Sequence, residues 1–264
     1  MWLFGRSPHT IAVYRRFAKR FLHCINKPLH LVTLADIQGW QQTLTKMAPA
    51  SQRVACAAVK SLLKFAHEIG VLEMNIGVLI RAPKVKDELT ERILTEAEVA
   101  ALMAQETNKR NFIILRLLYL AGLRVSELCA LKWKDTVPRG EMGQITVFGK
   151  GGKTRTILLP ASLWQQLLSL RADASAQDPV FRSRNGRPLD RIRIYRIVQA
   201  AASRAGIEGN VSPHWLRHAH ASHSLDHGAP LHLTQHTLGH SRISTTERYL
   251  HVRPNDSSAM YLPE

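Results

Sequence analysis

Between Ala82 and Arg92 the chain reads Ala-Pro-Lys-Val-Lys-Asp-Glu-Leu-Thr-Glu-Arg, charged and without helical or strand periodicity. Such a stretch has no apolar face to bury, so it divides the chain into two independently folding segments. A fresh helix start comes at once. Thr95 with Glu98 three residues later is a capping box, with Val99, Leu102 and Met103 as the apolar face behind it. This break predicts two domains, residues 1–81 and 93–264, joined by a linker over residues 82–92.

The first domain reads as helices only. Ser7-Pro8 is a cap with proline at the first helical position, and Ile11, Tyr14, Ala18, Phe21, Leu22 and Ile25 recur at helical spacing. Thr33 caps a second helix towards Met47. A third runs from about Ala50 to Glu68, with Val54, Ala58, Leu62, Phe65 and Ile69 expected inward and Gly70 ending it. Arg53, Lys60 and Lys64 share another face of that helix and are read as phosphate contacts. Residues 1–85 carry twelve Lys and Arg but only Asp36, Glu68 and Glu73 as acids.

The second domain is mixed. Asn111–Leu120 is apolar nearly all round and predicts a buried helix, ended by Ala121-Gly122-Leu123-Arg124; another helix carries Ser126 to Trp133. Gln144–Phe148 and Thr154–Leu159 alternate as strands about the turn Gly149-Lys150-Gly151-Gly152-Lys153. Further helices are expected near 161–171, 190–205, 213–226, 231–238 and 245–251. The fold class is therefore mainly α with a small antiparallel β-sheet.

Composition narrows the function. Lys and Arg total 36 against 20 acidic residues, a formal charge of +16, which points to a polyanionic partner. A membrane is not expected: the apolar run Phe112–Leu123 is short and interrupted by Arg116, and no signal peptide is apparent. Three cysteines far apart, with no Cys-x-x-Cys, predict neither disulfides nor a thiolate metal site and fit a reducing cytoplasm. Nine of the 13 histidines fall between 214 and 251, and His214/His218 have metal spacing. Acids are scarce there and His-Glu-x-x-His is absent, so no metal is expected.

Four clusters carry chemistry. In Ser212-Pro213-His214-Trp215-Leu216-Arg217-His218 a cap and a proline open a helix. His214 and Arg217 then lie one turn apart at its N-terminus, where backbone N–H groups favour an anion. Taken alone, that reads equally as ordinary helix-start chemistry. In Thr237-Leu238-Gly239-His240, Gly239 ends a helix and leaves His240 in a turn. Ser244 with Glu247 forms a capping box that would set Tyr249 early in the next helix, where by itself it reads as a half-buried core residue. In Ala-Gly-Leu-Arg-Val-Ser-Glu-Leu, 121–128, Glu127 one turn on from Arg124 is placed to orient its guanidinium. Lys150 sits among three glycines at the hairpin tip, where backbone and substrate can approach closely.

In this order, Gly-Leu-Arg-x-Ser-Glu-Leu, Gly-Lys-Gly-x-Lys, His-x-Leu-Arg-His and Leu-Gly-His with Tyr nine residues later resemble the tyrosine recombinase (phage integrase) family, especially its Xer-like members. The resemblance covers about residues 95–252 strongly and the basic helical segment more loosely. It implies a two-domain clamp, with a helical core-binding domain and a mixed α/β catalytic domain on opposite faces of DNA. It also implies site-specific cleavage and rejoining through a 3′-phosphotyrosyl bond to Tyr249.

Under that resemblance each residue acquires a role. Arg124 and Arg217 would hold the non-bridging oxygens, with His240 adding a hydrogen bond, His214 accepting the tyrosine proton and Lys150 protonating the leaving 5′-oxygen. Lys153, second of its pair, is read with Arg155 as a DNA contact. The scheme requires no metal, no ATP and no other cofactor. Implied partners are double-stranded DNA with a specific target site, further copies forming a tetramer on it, and a second recombinase or an accessory protein. The implied location is the cytoplasm, at the nucleoid. Only 15 residues come after Tyr249, so the exchanged C-terminal tail of the family would be short here, and phage-type arm-site binding is not expected. Two rival readings are a type IB-like topoisomerase, which uses a similar residue set, and a non-catalytic DNA-binding protein.

Overall fold

The computed structural model describes residues 1–84, 92–149, 152 and 154–250. The chain forms two compact units, Met1–Asp87 and Glu88–Glu264.

The first unit is helical: α1 (Pro8–Ile25), α2 (Leu34–Thr43) and α3 (Pro49–Glu68), then a 3₁₀ turn at Ile76–Leu79. Ser7 Oγ accepts from the Thr10 amide and Pro8 opens α1. Thr33 and Asp36 form a reciprocal capping box on α2, which ends at Thr43, short of Met47. The core is built by Phe17 and Phe21 of α1, Ile37 and Trp40 of α2, and Val59 and Leu63 of α3, with Phe21 meeting Trp40 edge-on at 5.2 Å. The buried face of α3 is rotated from the expected one, keeping Ala58 inward and Leu62 and Phe65 partly so. Ala55, Cys56, Ala58, Val59, Leu63 and Ala66 point inward, while Val54 and Ile69 are exposed. This face combines the small Ala55, Cys56, Ala58 and Ala66 with the bulkier Val59 and Leu63, so it is set by close packing within the unit and not by the apolar row alone. Arg53 and Lys64 are exposed on α3, Lys60 is partly so, and Lys64 makes a solvated pair with Glu68 at 3.6 Å.

The second unit is built around α5 (Lys109–Leu120), capped by Asn108, with Ile113, Ile114, Leu115, Leu117 and Leu118 all buried. α4 (Glu96–Ala104) starts at the Thr95–Glu98 capping box, and α6 is Val125–Ala130. A three-stranded antiparallel sheet comes next in the order β1 (Thr136–Arg139), β2 (Met142–Phe148), β3 (Thr154–Leu159). Strand β1 was not expected, since Pro138 and its mostly exposed side chains hide it from pattern reading. Ile145 pairs with Ile157 and Val147 with Arg155 across β2 and β3. The sheet packs on α7 (Ala161–Leu168), where Gly143 takes the face of Trp164; α8 (Arg191–Arg204), α9 (Pro213–Asp226), α10 (Leu231–Leu238) and α11 (Ser244–Glu247) complete the unit. Among the described residues, no helix is long and apolar enough to cross a membrane. Cys24, Cys56 and Cys129 are free.

Candidate active site

The site grows from a tight turn. Gly122, at φ +56°, ends the approach from α5, and a Cβ there would come within 2.8 Å of His220 Cδ2. Arg124 then caps α6: its amide donates to Glu127 Oε2, and its Nη1 donates to Glu127 Oε1, both at 2.8 Å. Nη2 of Arg124 reaches the Gly239 carbonyl at 3.0 Å, tying α6 to the end of α10.

Glu127 is held from its other side by Arg155 of β3. Arg155 Nη1 and Nη2 donate to the two carboxylate oxygens at 2.8 Å each, and Nε donates to the Thr237 carbonyl at 2.6 Å. Arg155 was expected on DNA. It is instead 7% exposed, with its fork spent on a buried carboxylate. The correction comes from strand alternation: Arg155 lies on the inward face with Ile157 and Leu159. Burial pushes the Glu127 carboxyl up, but hydrogen bonds from Arg155 and Arg124 outweigh it and hold the pKa at about 2.

Arg217, one turn into α9, is 5% exposed. Its Nη1 donates to the Gly122 carbonyl and Nη2 to the Leu238 carbonyl, the latter at 2.6 Å. Burial, and then the Arg124 charge, lower its pKa to about 9, so it stays charged at neutral pH. Three guanidiniums thus face one carboxylate, an excess of positive charge that favours an anion. Ser212 precedes α9 without capping it through its side chain, and Pro213 occupies the first turn.

His214 stands in that first turn, exposed, with its pKa lowered by partial desolvation and by Arg217 and Arg124. Gly239, at φ +63°, turns the chain out of α10, and its missing Cβ leaves room for Arg155. His240 comes next, with Nδ1 2.9 Å from the buried Thr246 hydroxyl and a pKa brought to about 4 by burial and then by Arg217 and Arg124. Arg124, His240, Gly149, Thr154 and Thr245 line a cleft of about 870 Å³. Lys150 and Lys153 lie outside the described residues.

Tyr249 is placed differently from the expectation. Ser244 opens the short helix α11 instead of capping it, and Tyr249 sits in the turn beyond that helix, its amide donating to Thr246. Its ring is 6% exposed, packs on Ile93, Ala221 and Leu238, and lies parallel to His240 at 6.5 Å. Burial raises the phenol pKa, opposed by Arg217 and Arg248. The hydroxyl meets Nδ1 of His218 at 2.6 Å; the expected proton acceptor was His214. The fold therefore gathers Arg124, Glu127, His214, Arg217, His240 and Tyr249 in one place. To these it adds Arg155 and His218, which the sequence alone presents as a DNA contact and as one half of a metal spacing. The signal for His218 was present: it lies four residues from His214 on one helix face, directly after Arg217.

Residues 92–256 match the model of the phage integrase family. The tyrosine recombinase XerC of Pelobacter propionicus is 33% identical over 93% of this chain and 85% of its own length. The tyrosine recombinase XerD of Vibrio cholerae is 33% identical over 94% of this chain and 87% of its own. In fold the chain resembles a lambda integrase tetramer bound to a Holliday junction, with TM-score 0.79 at 19% identity over 96% of this chain and 75% of that one. It likewise resembles XerH bound to its difH substrate, with TM-score 0.76 at 20% identity over 96% of this chain and 80% of that one. The topoisomerase and purely binding readings are not favoured by these relatives.

Proposed function

This chain belongs to the phage integrase family, and as a tyrosine recombinase it catalyses site-specific exchange of DNA strands; from that premise we propose that Tyr249 is the nucleophile and that the residues around Arg124 form its phosphate pocket. The observation that carries the reading is the convergence of Arg124 and Arg217 with His240 beside the Tyr249 ring. A phenol with pKa about 10 is only about 0.1% ionised at neutral pH, so attack needs help with the proton and with the charge.

As the Oη–P bond forms, negative charge gathers on the non-bridging oxygens. Arg124 and Arg217 meet it with forked donors whose backbone anchors are already in place, and His214 and His240 add hydrogen bonds. Losing one such donor typically costs about 10²–10³ in rate. Glu127 and Arg155 hold Arg124 in position and touch no substrate. Lys150 gives its proton to the departing 5′-oxygen. The product is a 3′-phosphotyrosyl ester and a free 5′-hydroxyl, and attack by a 5′-hydroxyl of a second DNA reverses the step onto a new partner. No step calls for a nucleotide cofactor or a metal ion.

The partner is double-stranded DNA carrying a specific site. Residues 1–81 act as the core-binding domain, with Arg53, Lys60 and Lys64 of α3 on phosphates, residues 82–92 as linker and residues 93–264 as the catalytic domain. Lys153 adds a contact from the hairpin. Active assembly is a tetramer on two sites, in the cytoplasm at the nucleoid, joined by a second recombinase or an accessory protein.

Trapping tests the assignment. A nicked suicide duplex carrying the site is incubated with the protein without metal or nucleotide, and an SDS-resistant adduct is sought. The adduct forms with the natural chain and is lost in Tyr249→Phe; an adduct that survives the substitution overturns Tyr249 as nucleophile.

A further inference from the structure

The proton on Tyr249 leaves as the phenol attacks, and its acceptor has to stand within hydrogen-bond reach of Oη. His218 Nδ1 stands 2.6 Å from that oxygen. His214, one turn earlier on α9, has its ring centre 6.4 Å from that of His218. The ring of His240 runs within 8° of parallel to the tyrosine ring, its centre 6.5 Å away. Its Nδ1 is also engaged by Thr246. Ile93, Ala221 and Leu238 back the phenol, so its hydroxyl is held at His218 by packing as well as by the hydrogen bond.

We propose that His218 is a further catalytic residue of strand cleavage and rejoining, the group that takes the Tyr249 proton. The inference rests on Tyr249 being the nucleophile. In cleavage the Nδ1 lone pair of a neutral His218 carrying its proton on Nε2 accepts the Oη proton. An Oη lone pair forms the new bond to phosphorus, the P–O5′ bond breaks, and O5′ takes a proton from Lys150. In rejoining, a 5′-hydroxyl returns its proton to Lys150 and attacks phosphorus, and the departing phenolate recovers its proton from the His218 imidazolium.

The surroundings fit an acceptor that a bound phosphate makes more effective. His218 is faced by His214 and Arg217 of its own helix, by Arg92 ahead of α4 and by Arg248 beside Tyr249. Burial first, and then those groups, bring its pKa down to about 4, so the ring is neutral and a nitrogen lone pair is available at neutral pH. The same charges oppose formation of the imidazolium. A phosphate anion among Arg124 and Arg217 offsets them, which couples proton transfer to occupancy of the pocket.

The test uses the full chain on a nicked duplex carrying a core sequence that the protein itself selects from random DNA. Adduct formation is timed in single turnover for the natural chain, His218→Asn and His218→Phe, each with tyrosine or 3,5-difluorotyrosine at position 249. Asparagine places a polar atom near the Nδ1 position but cannot carry the proton away. Both variants are expected to slow cleavage about 10²-fold or more while binding the duplex normally. Difluorotyrosine, whose phenol is far more acidic, is expected to restore most of that loss. A natural rate in His218→Asn overturns the proposal, because a hydrogen bond alone then suffices. So does an equal loss with both tyrosines, which marks a structural role. Should His218→Phe fail to fold, His218→Asn carries the comparison with difluorotyrosine. An adduct that survives in Tyr249→Phe marks failure of the nucleophile assignment instead.

Discussion

Glu127 receives two guanidiniums on one carboxylate, and its backbone partner is the amide of Arg124 itself. Only Arg124 of the two keeps an open side, with about a third of its side chain exposed against almost none of Arg155. One guanidinium is thus presented to the cleft while the other anchors the carboxylate that presents it. Removing Arg155 leaves the buried Glu127 carboxylate with Arg124 as its remaining guanidinium and strips two charge-assisted hydrogen bonds from it. We expect Arg155→Met to destabilise the chain by about 3–5 kcal/mol in urea unfolding. A loss below about 1 kcal/mol would mean that water or Arg124 alone satisfies Glu127. Lysine at 155 is not a conservative replacement, because it cannot match both carboxylate oxygens and the Thr237 carbonyl with one planar fork.

At the scale of elements, β2 and α7 meet where a glycine of the strand takes a tryptophan. A Cβ on Gly143 would stand 2.2 Å from Trp164 Cε3, far inside van der Waals contact, and Trp164 is itself buried. Gly140, in the turn before β2, has open space around it. Gly143→Ala is therefore predicted to destabilise by about 1–3 kcal/mol through overpacking. Gly140→Ala, at φ +61°, carries only the backbone strain of about 1 kcal/mol. Thermal unfolding of the two variants side by side checks the order, and equal midpoints would show that α7 shifts to make room. Because β3 carries Arg155, displacement of this sheet is also expected to reach the carboxylate that holds Arg124.

For the whole molecule, partly buried histidines govern the response to acid. His218, His220 and His240 each have a pKa of about 4 in place of 6.5, with burial the leading cause in all three. Unfolding lets them take up protons near their ordinary pKa, so the unfolded chain binds more protons between the two values. Their contribution to stability is complete above about 6.5 and falls as pH drops from there to about 4. Glu127, with its folded pKa at about 2, adds a further loss below its ordinary value of 4.5. Calorimetric scans of the full chain should therefore show the second unit's transition falling steeply between pH 7 and 4.5, with proton uptake on unfolding. A transition that stays level over that interval would show these rings to be solvated in the folded state.

Features that depend on neighbours along the chain can be read from the amino-acid sequence. The caps at Ser7, Thr33 and Thr95, the turn at Gly239, the buried run of α5 and the hairpin strands were all legible, since each is set by a few adjacent residues. So was the set of motifs that carries the family resemblance. Which face of α3 is buried followed from tertiary packing, because several apolar rows run along that helix and only the fit to its neighbours selects among them. It also made Arg155 an internal anchor, since the carboxylate it meets lies 28 residues away. Finally, it set Tyr249 against His218 across 31 residues, where periodicity carries no information and packing selects the partner.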